Sequence, residues 1–245
     1  MANPMLRESV YEQAGVVAHG ETMTVAGTSA KTLLLFIIMC IPASWVWWQL
    51  QVTQNVAALM PLMWGGLIGG LVLSLVTVFK PDWAAVTAPL YAICEGFVIG
   101  LLSTFFEAMY PGIVIQAVGA TFGVAGLMFT AYATGLLRPT RPFITFVVAA
   151  SGGICLLYLA NIVLASFFGM HLPFIHEGGL WGIVFSLVVV CVAALNLIID
   201  FGFIAKGAEQ GAPKSLEWYG AFGLLVTMLW LYLEMLRLLG KLRSR

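Results

Sequence analysis

Seven stretches of almost uninterrupted apolar residues run along the chain, at 33–50, 59–79, 83–106, 112–137, 143–168, 179–204 and 218–239, separated by short polar joints. A helix that crosses about 30 Å of hydrocarbon at about 1.5 Å per residue needs about 20 mainly apolar residues. The pattern therefore predicts an all-α membrane protein: a seven-helix transmembrane bundle over 32–245, preceded by a polar N-terminal segment over 1–31. Composition agrees, since 61% of residues are hydrophobic, 9% are charged and the mean hydropathy is +1.00, which excludes a soluble globular domain of this length. Residues 1–30 lack a compact apolar core ending in small residues, so no cleavable signal is expected.

Punctuation follows the same plan. Pro81, Pro111, Pro139, Pro142 and Pro173 fall at predicted helix ends, where a missing N–H costs little, and Pro89 falls inside the third span. Gly65, Gly66, Gly69 and Gly70 form two overlapping small-xxx-small pairs that let helix backbones approach closely in lipid. Trp45, Trp47, Trp48, Trp83, Trp181 and Trp218 lie near span ends, as interfacial aromatic anchors do. Cys40, Cys94, Cys155 and Cys191 lie one to a span with no close-spaced pair, and read as buried apolar residues rather than a disulfide framework or a zinc site.

Charge sets orientation. With a cytoplasmic N-terminus the inner side receives Arg7, Lys31, Lys80, Arg138, Arg141, Lys206 and Lys214, while the outer loops 51–58, 107–111 and 169–178 hold no Lys or Arg. Arg237, Lys241, Arg243 and Arg245 run against this rule, because seven crossings leave the tail outside. The net charge of zero gives nucleic acid no electrostatic hold.

The candidate chemistry lies in the few polar groups within the spans. An ionisable side chain in hydrocarbon costs roughly 2.5 kcal/mol or more and marks a functional site by default. Three carboxylates qualify: Asp200, Glu95 and Glu234. A rise of about 1.5 Å per residue puts Asp200 about 9 Å, Thr227 about 14 Å, Glu95 about 18 Å, Glu234 about 24 Å and Asn161 about 27 Å from the inner side. Such a staggered set suggests a polar track for a cation or proton rather than one compact metal site. Glu95 is the candidate second carboxylate for Asp200, and Lys80 a candidate cationic partner, or else an ordinary loop lysine. Glu234 has Arg237 one turn away and could simply pair with it. His171, His176 and Glu177 share one loop but are too few for a convincing metal centre. Ser186 lies in a span, and no span holds a histidine to activate it, so no hydrolase is expected. No phosphate-binding fingerprint is present, and no enzyme activity or resident cofactor is expected.

Several motifs carry a family resemblance. NPM at 3–5, ETMTVAGTSAKT at 21–32, APLYAICEGFVIG at 88–100, YPGIVIQAV at 110–118 and LEWYGAFGLLVTMLWLYLEMLRLL at 216–239 resemble the bacterial subgroup of the transmembrane Bax inhibitor motif (Bax inhibitor-1) family. That resemblance implies a central seventh helix surrounded by six others, in a bacterial plasma membrane, with Ca²⁺ as permeant ion of a pH-sensitive leak gated by aspartates in the sixth and seventh helices. Asp200, in NLIIDFGFI, is similar to the sixth-helix member. For the seventh-helix member, matching LYLE to the family's LYLD gives Glu234, whereas matching LRLLG gives Thr227. Some relatives partner a membrane-bound AAA protease, which makes a regulatory interaction protein, engaging its partner through residues 1–31, the competing expectation.

Overall fold

The computed structural model describes residues 21–170, 172 and 179–244. Seven long helices follow in order: α1 (Val25–Thr53), α2 (Val56–Phe79), α3 (Ala84–Met109), α4 (Ile113–Ala133), α5 (Arg141–Phe168), α6 (Leu180–Glu209) and α7 (Leu216–Arg243). All seven are long and apolar enough to cross a membrane. A helix satisfies its own backbone groups, which is why uninterrupted apolar sequence takes this form in hydrocarbon.

The ends differ from the apolar runs for local reasons. α1 begins eight residues before the predicted span, because its polar first turns bond to their own backbone: Thr28 Oγ1 donates to Thr24 C=O, Ser29 Oγ to Val25 C=O and Thr32 Oγ1 to Thr28 C=O. Thr24 caps this helix by accepting the Gly27 N–H, and Asn55 caps α2 by accepting that of Ala58. α4 stops at Ala133, four residues short of the apolar run, as the chain turns through Gly135 at φ 75°. α7 continues four residues past the predicted end, to Arg243. Proline is also more invasive than expected, for Pro42 and Pro61 lie within α1 and α2, beside Pro89 in α3.

The backbone divides into two compact units. One holds the described residues before Tyr110, with Phe203–Val226. Here α1 and α2 both pack on α3, around a core of Val46, Leu50, Leu59 and Leu101. Close approach depends on glycine: a Cβ on Gly66 would lie 2.7 Å from the Cys94 carbonyl oxygen, one on Gly70 2.9 Å from Glu95 Oε1, and one on Gly96 2.4 Å from the Met39 carbonyl oxygen. Gly65, expected in the same contact, meets nothing within 4 Å, since it lies about 100° round the helix from Gly66. At the start of α1 the buried Glu217 carboxylate accepts the Thr24 N–H at 2.9 Å, the Thr24 hydroxyl at 3.0 Å and the Lys31 ammonium at 2.6 Å. Two of the sequence motifs, 193 positions apart at Thr24 and Glu217, thus meet in one contact.

The other unit holds Tyr110–Gly202 and the chain from Thr227 onward. Ile154, Val189 and Val192 form its core, with Tyr158, Phe185 and Trp230 packed against them. Outward faces are apolar in both units, and Trp45, Trp48, Trp83 and Trp181 are exposed near helix ends. The cysteines correct one expectation: all four are free, but Cys40, Cys155 and Cys191 lie on exposed helix faces rather than inside. A thiol is small and apolar enough to sit on the face of a helix that lipid covers.

Candidate functional site

α6 is nearly continuous Val, Leu, Ile and Ala, and its polar exceptions are ordered. Ser186 and Asp200 are fourteen residues apart, as are Thr227 and Lys241 on α7, with Glu234 midway between the latter two. Seven residues make almost two full turns, so each set occupies one face of its helix. The two faces meet in a fixed antiparallel register. The Thr227 hydroxyl donates to Asp200 Oδ2 at 2.5 Å, and four turns away the Lys241 ammonium donates to Ser186 Oγ and to the Gly182 C=O, each at 2.9 Å. All five residues of this ladder are buried, Asp200 at 0% and Glu234 at 1% exposure.

The middle layer is completed from α5. Glu234 accepts the Tyr158 hydroxyl at 3.0 Å on one oxygen and 3.1 Å on the other, and pairs with the Arg237 guanidinium at 2.6 Å. That guanidinium also lies 4.9 Å over the Tyr158 ring. One turn before Asp200, the buried Asn196 donates its amide to Ser151 Oγ at 2.9 Å and to the Val192 C=O at 2.8 Å, which fixes the α5 face against α6. Asn161 accepts the Leu172 N–H at 2.9 Å and so holds the chain just after α5.

The remaining candidates belong to the first-described unit. Glu95 is half-buried on α3, beside Gly70 and one turn after Tyr91. Lys80 is exposed at the end of α2, with its ammonium 4.5 Å over the Trp83 ring. His171, His176 and Glu177 lie outside the described residues. Among the described residues no three His, Cys, Asp or Glu side chains come together.

Two features escaped the sequence reading. Tyr158 reaches Glu234 from 76 positions away, and no local spacing announces it. Lys241 was placed in the polar tail, although its seven-residue spacing from Glu234 was the available signal.

Seven apolar helices carrying a buried row of hydroxyls, carboxylates and a lysine define a polytopic helical membrane protein with ionisable groups inside its spans. The chain belongs to the Bax inhibitor 1 like family, whose model matches residues 3–244. A search of curated proteins found no match. On α7 it is the Thr227 hydroxyl that donates to Asp200.

Proposed function

We propose that this protein is a proton-sensitive cation leak, permeable to calcium, in a bacterial plasma membrane, with α7 central and Asp200 as the ion contact. The carrying observation is Asp200 itself: a fully buried carboxylate on an apolar helix, met by a hydroxyl from α7. A carboxylate and hydroxyls are oxygen donors of the kind a hard cation accepts in place of water. Thr227 steadies the ionised acid but has no proton to share in the pH range where a carboxyl titrates. Regulation by protons then falls on Asp200, with Glu95 as the candidate second titrating group and Glu234, tied by Arg237 and Tyr158, as a station further along the track.

Orientation is part of the same proposal, with the N-terminus cytoplasmic and the C-terminus outside. Among the described residues the basic groups of the tail are bound to protein groups: Arg237 to Glu234, Lys241 to Ser186 and Gly182, and Arg243 to the Pro111 C=O at 2.7 Å and Gln116 Oε1 at 2.9 Å.

Calcium flux into vesicles reconstituted with the purified full chain, measured across pH, tests the reading. Wild type conducts with a pH-dependent rate, and Asp200→Asn removes both most of the rate and its pH dependence. A midpoint moved by Glu95→Gln assigns the second titrating group to Glu95, and an unmoved one leaves Asp200 alone. Absence of flux, together with co-purification of a membrane-bound AAA protease, replaces the leak by the regulatory function.

A further inference from the structure

Lys241 has no part in ion passage in the reading above, and it is the group in the ladder that ordinary membrane chemistry explains least. A lysine is among the costliest side chains to place in hydrocarbon, and near a helix end it ordinarily extends toward water. Lys241 does the reverse. Its side chain is buried, and its ammonium turns to α6, with the Gly182 carbonyl oxygen and the Ser186 hydroxyl oxygen each at 2.9 Å. A carbonyl and a hydroxyl at this distance from a single positive centre are what a partly dehydrated cation finds in a selective pore. The Phe185 ring closes another side, 6.0 Å from Nζ. Glu234 and Arg237 lie two turns and one turn earlier on α7. The site lies on the same face, and in the same register, as Asp200 and Thr227.

We propose that Lys241 is a tethered internal cation: it occupies an oxygen site at one end of the polar face and holds back permeant cations, so that it sets the rate of the leak. The inference rests on the cation-leak reading. A mobile cation that leaves Asp200 along this face enters the field of a fixed positive charge that no counter-ion can wash away. Two turns, roughly 10 Å, from a unit charge at an effective dielectric of about 20, the repulsion on a divalent cation corresponds to about a hundredfold or more in rate.

Initial calcium flux in reconstituted vesicles decides it. Lys241→Gln keeps a donor for Ser186 and Gly182 but removes the charge, and its rate rises about a hundredfold over wild type. Lys241→Arg keeps the charge and stays near the wild-type rate. Asp200→Asn combined with Lys241→Gln loses the gain, because the ion contact is gone. Lys241→Gln that melts at the wild-type temperature and conducts no faster overturns the proposal. Where Lys241→Gln gives no folded protein, Ser186→Ala loosens the tether and raises the rate several-fold, and an unchanged rate is again fatal. A wild type without flux sinks the leak reading and this proposal together. A wild-type flux that Asp200→Asn abolishes and Lys241→Gln leaves alone sinks only the tethered cation.

Discussion

Thr227 and Asp200 differ from a pair of acids in how many protons they can exchange. A hydroxyl at 2.5 Å donates to the carboxylate and stays protonated, whereas two carboxyls at that distance cannot both ionise cheaply and hold one proton between them. Thr227→Asp therefore converts a one-proton site into a shared-proton site. The pH midpoint of calcium flux moves upward by about one unit or more, in line with the shifts that like charges impose. A midpoint that stays in place shows that the new carboxyl does not meet Asp200. This layer was legible in the sequence because depth along a helix follows from residue count alone, and the count brought Thr227 near Asp200 and kept Glu234 away. The partners of Glu234 and Lys241 were legible only in part. Arg237 is a neighbour on the same helix, but Tyr158 and Ser186 come from other helices, and residue counting along one helix says nothing about which neighbour it faces.

At the scale of elements, the helices are held by what their glycines lack. Gly66 and Gly70 bring α2 onto α3, with the added Cβ positions 2.7 Å and 2.9 Å from α3 atoms, while Gly65 faces open space. Leu at 66 meets backbone oxygen, which cannot yield, whereas Leu at 70 meets the end of the Glu95 side chain, which can in part. Gly66→Leu thus lowers folded yield and melting temperature most, Gly70→Leu less, and Gly65→Leu hardly at all, as read by size-exclusion profile and thermal melting in detergent. Equal yields for all three would place this helix face against lipid. The sequence showed the stripe but not its phase, because Gly65–Gly66 and Gly69–Gly70 offer two adjacent faces and only packing chooses between them. The long start of α1 was hidden for a related reason. Thr, Ser and Lys at 28–32 look like loop residues until their hydroxyls turn back onto the helix and Lys31 turns onto Glu217.

For the whole molecule, seven helices were legible because hydrocarbon thickness imposes a length that few other structures require, and each helix contains its predicted span except for the first residue of α3 and of α6 and both ends of α4. The division into two units was not legible, since α6 and α7 run unbroken through Gly202–Phe203 and Val226–Thr227, where the contact pattern changes. Topology carries the corresponding prediction. A reporter fused after Arg245 is active outside the cytoplasm and silent within it, and the opposite result would replace seven crossings by a re-entrant last segment. The register of α6 on α7 has a mechanical consequence. Two hydrogen bonds, Thr227 to Asp200 and Lys241 to Ser186, stand four turns apart and act as a pair of pins. A piston stroke of one turn, about 5.4 Å, would break both at once. Rolling one helix on the other, or bending between the pins, breaks neither at first. Any motion that admits an ion along this face is thereby steered away from sliding and toward rotation.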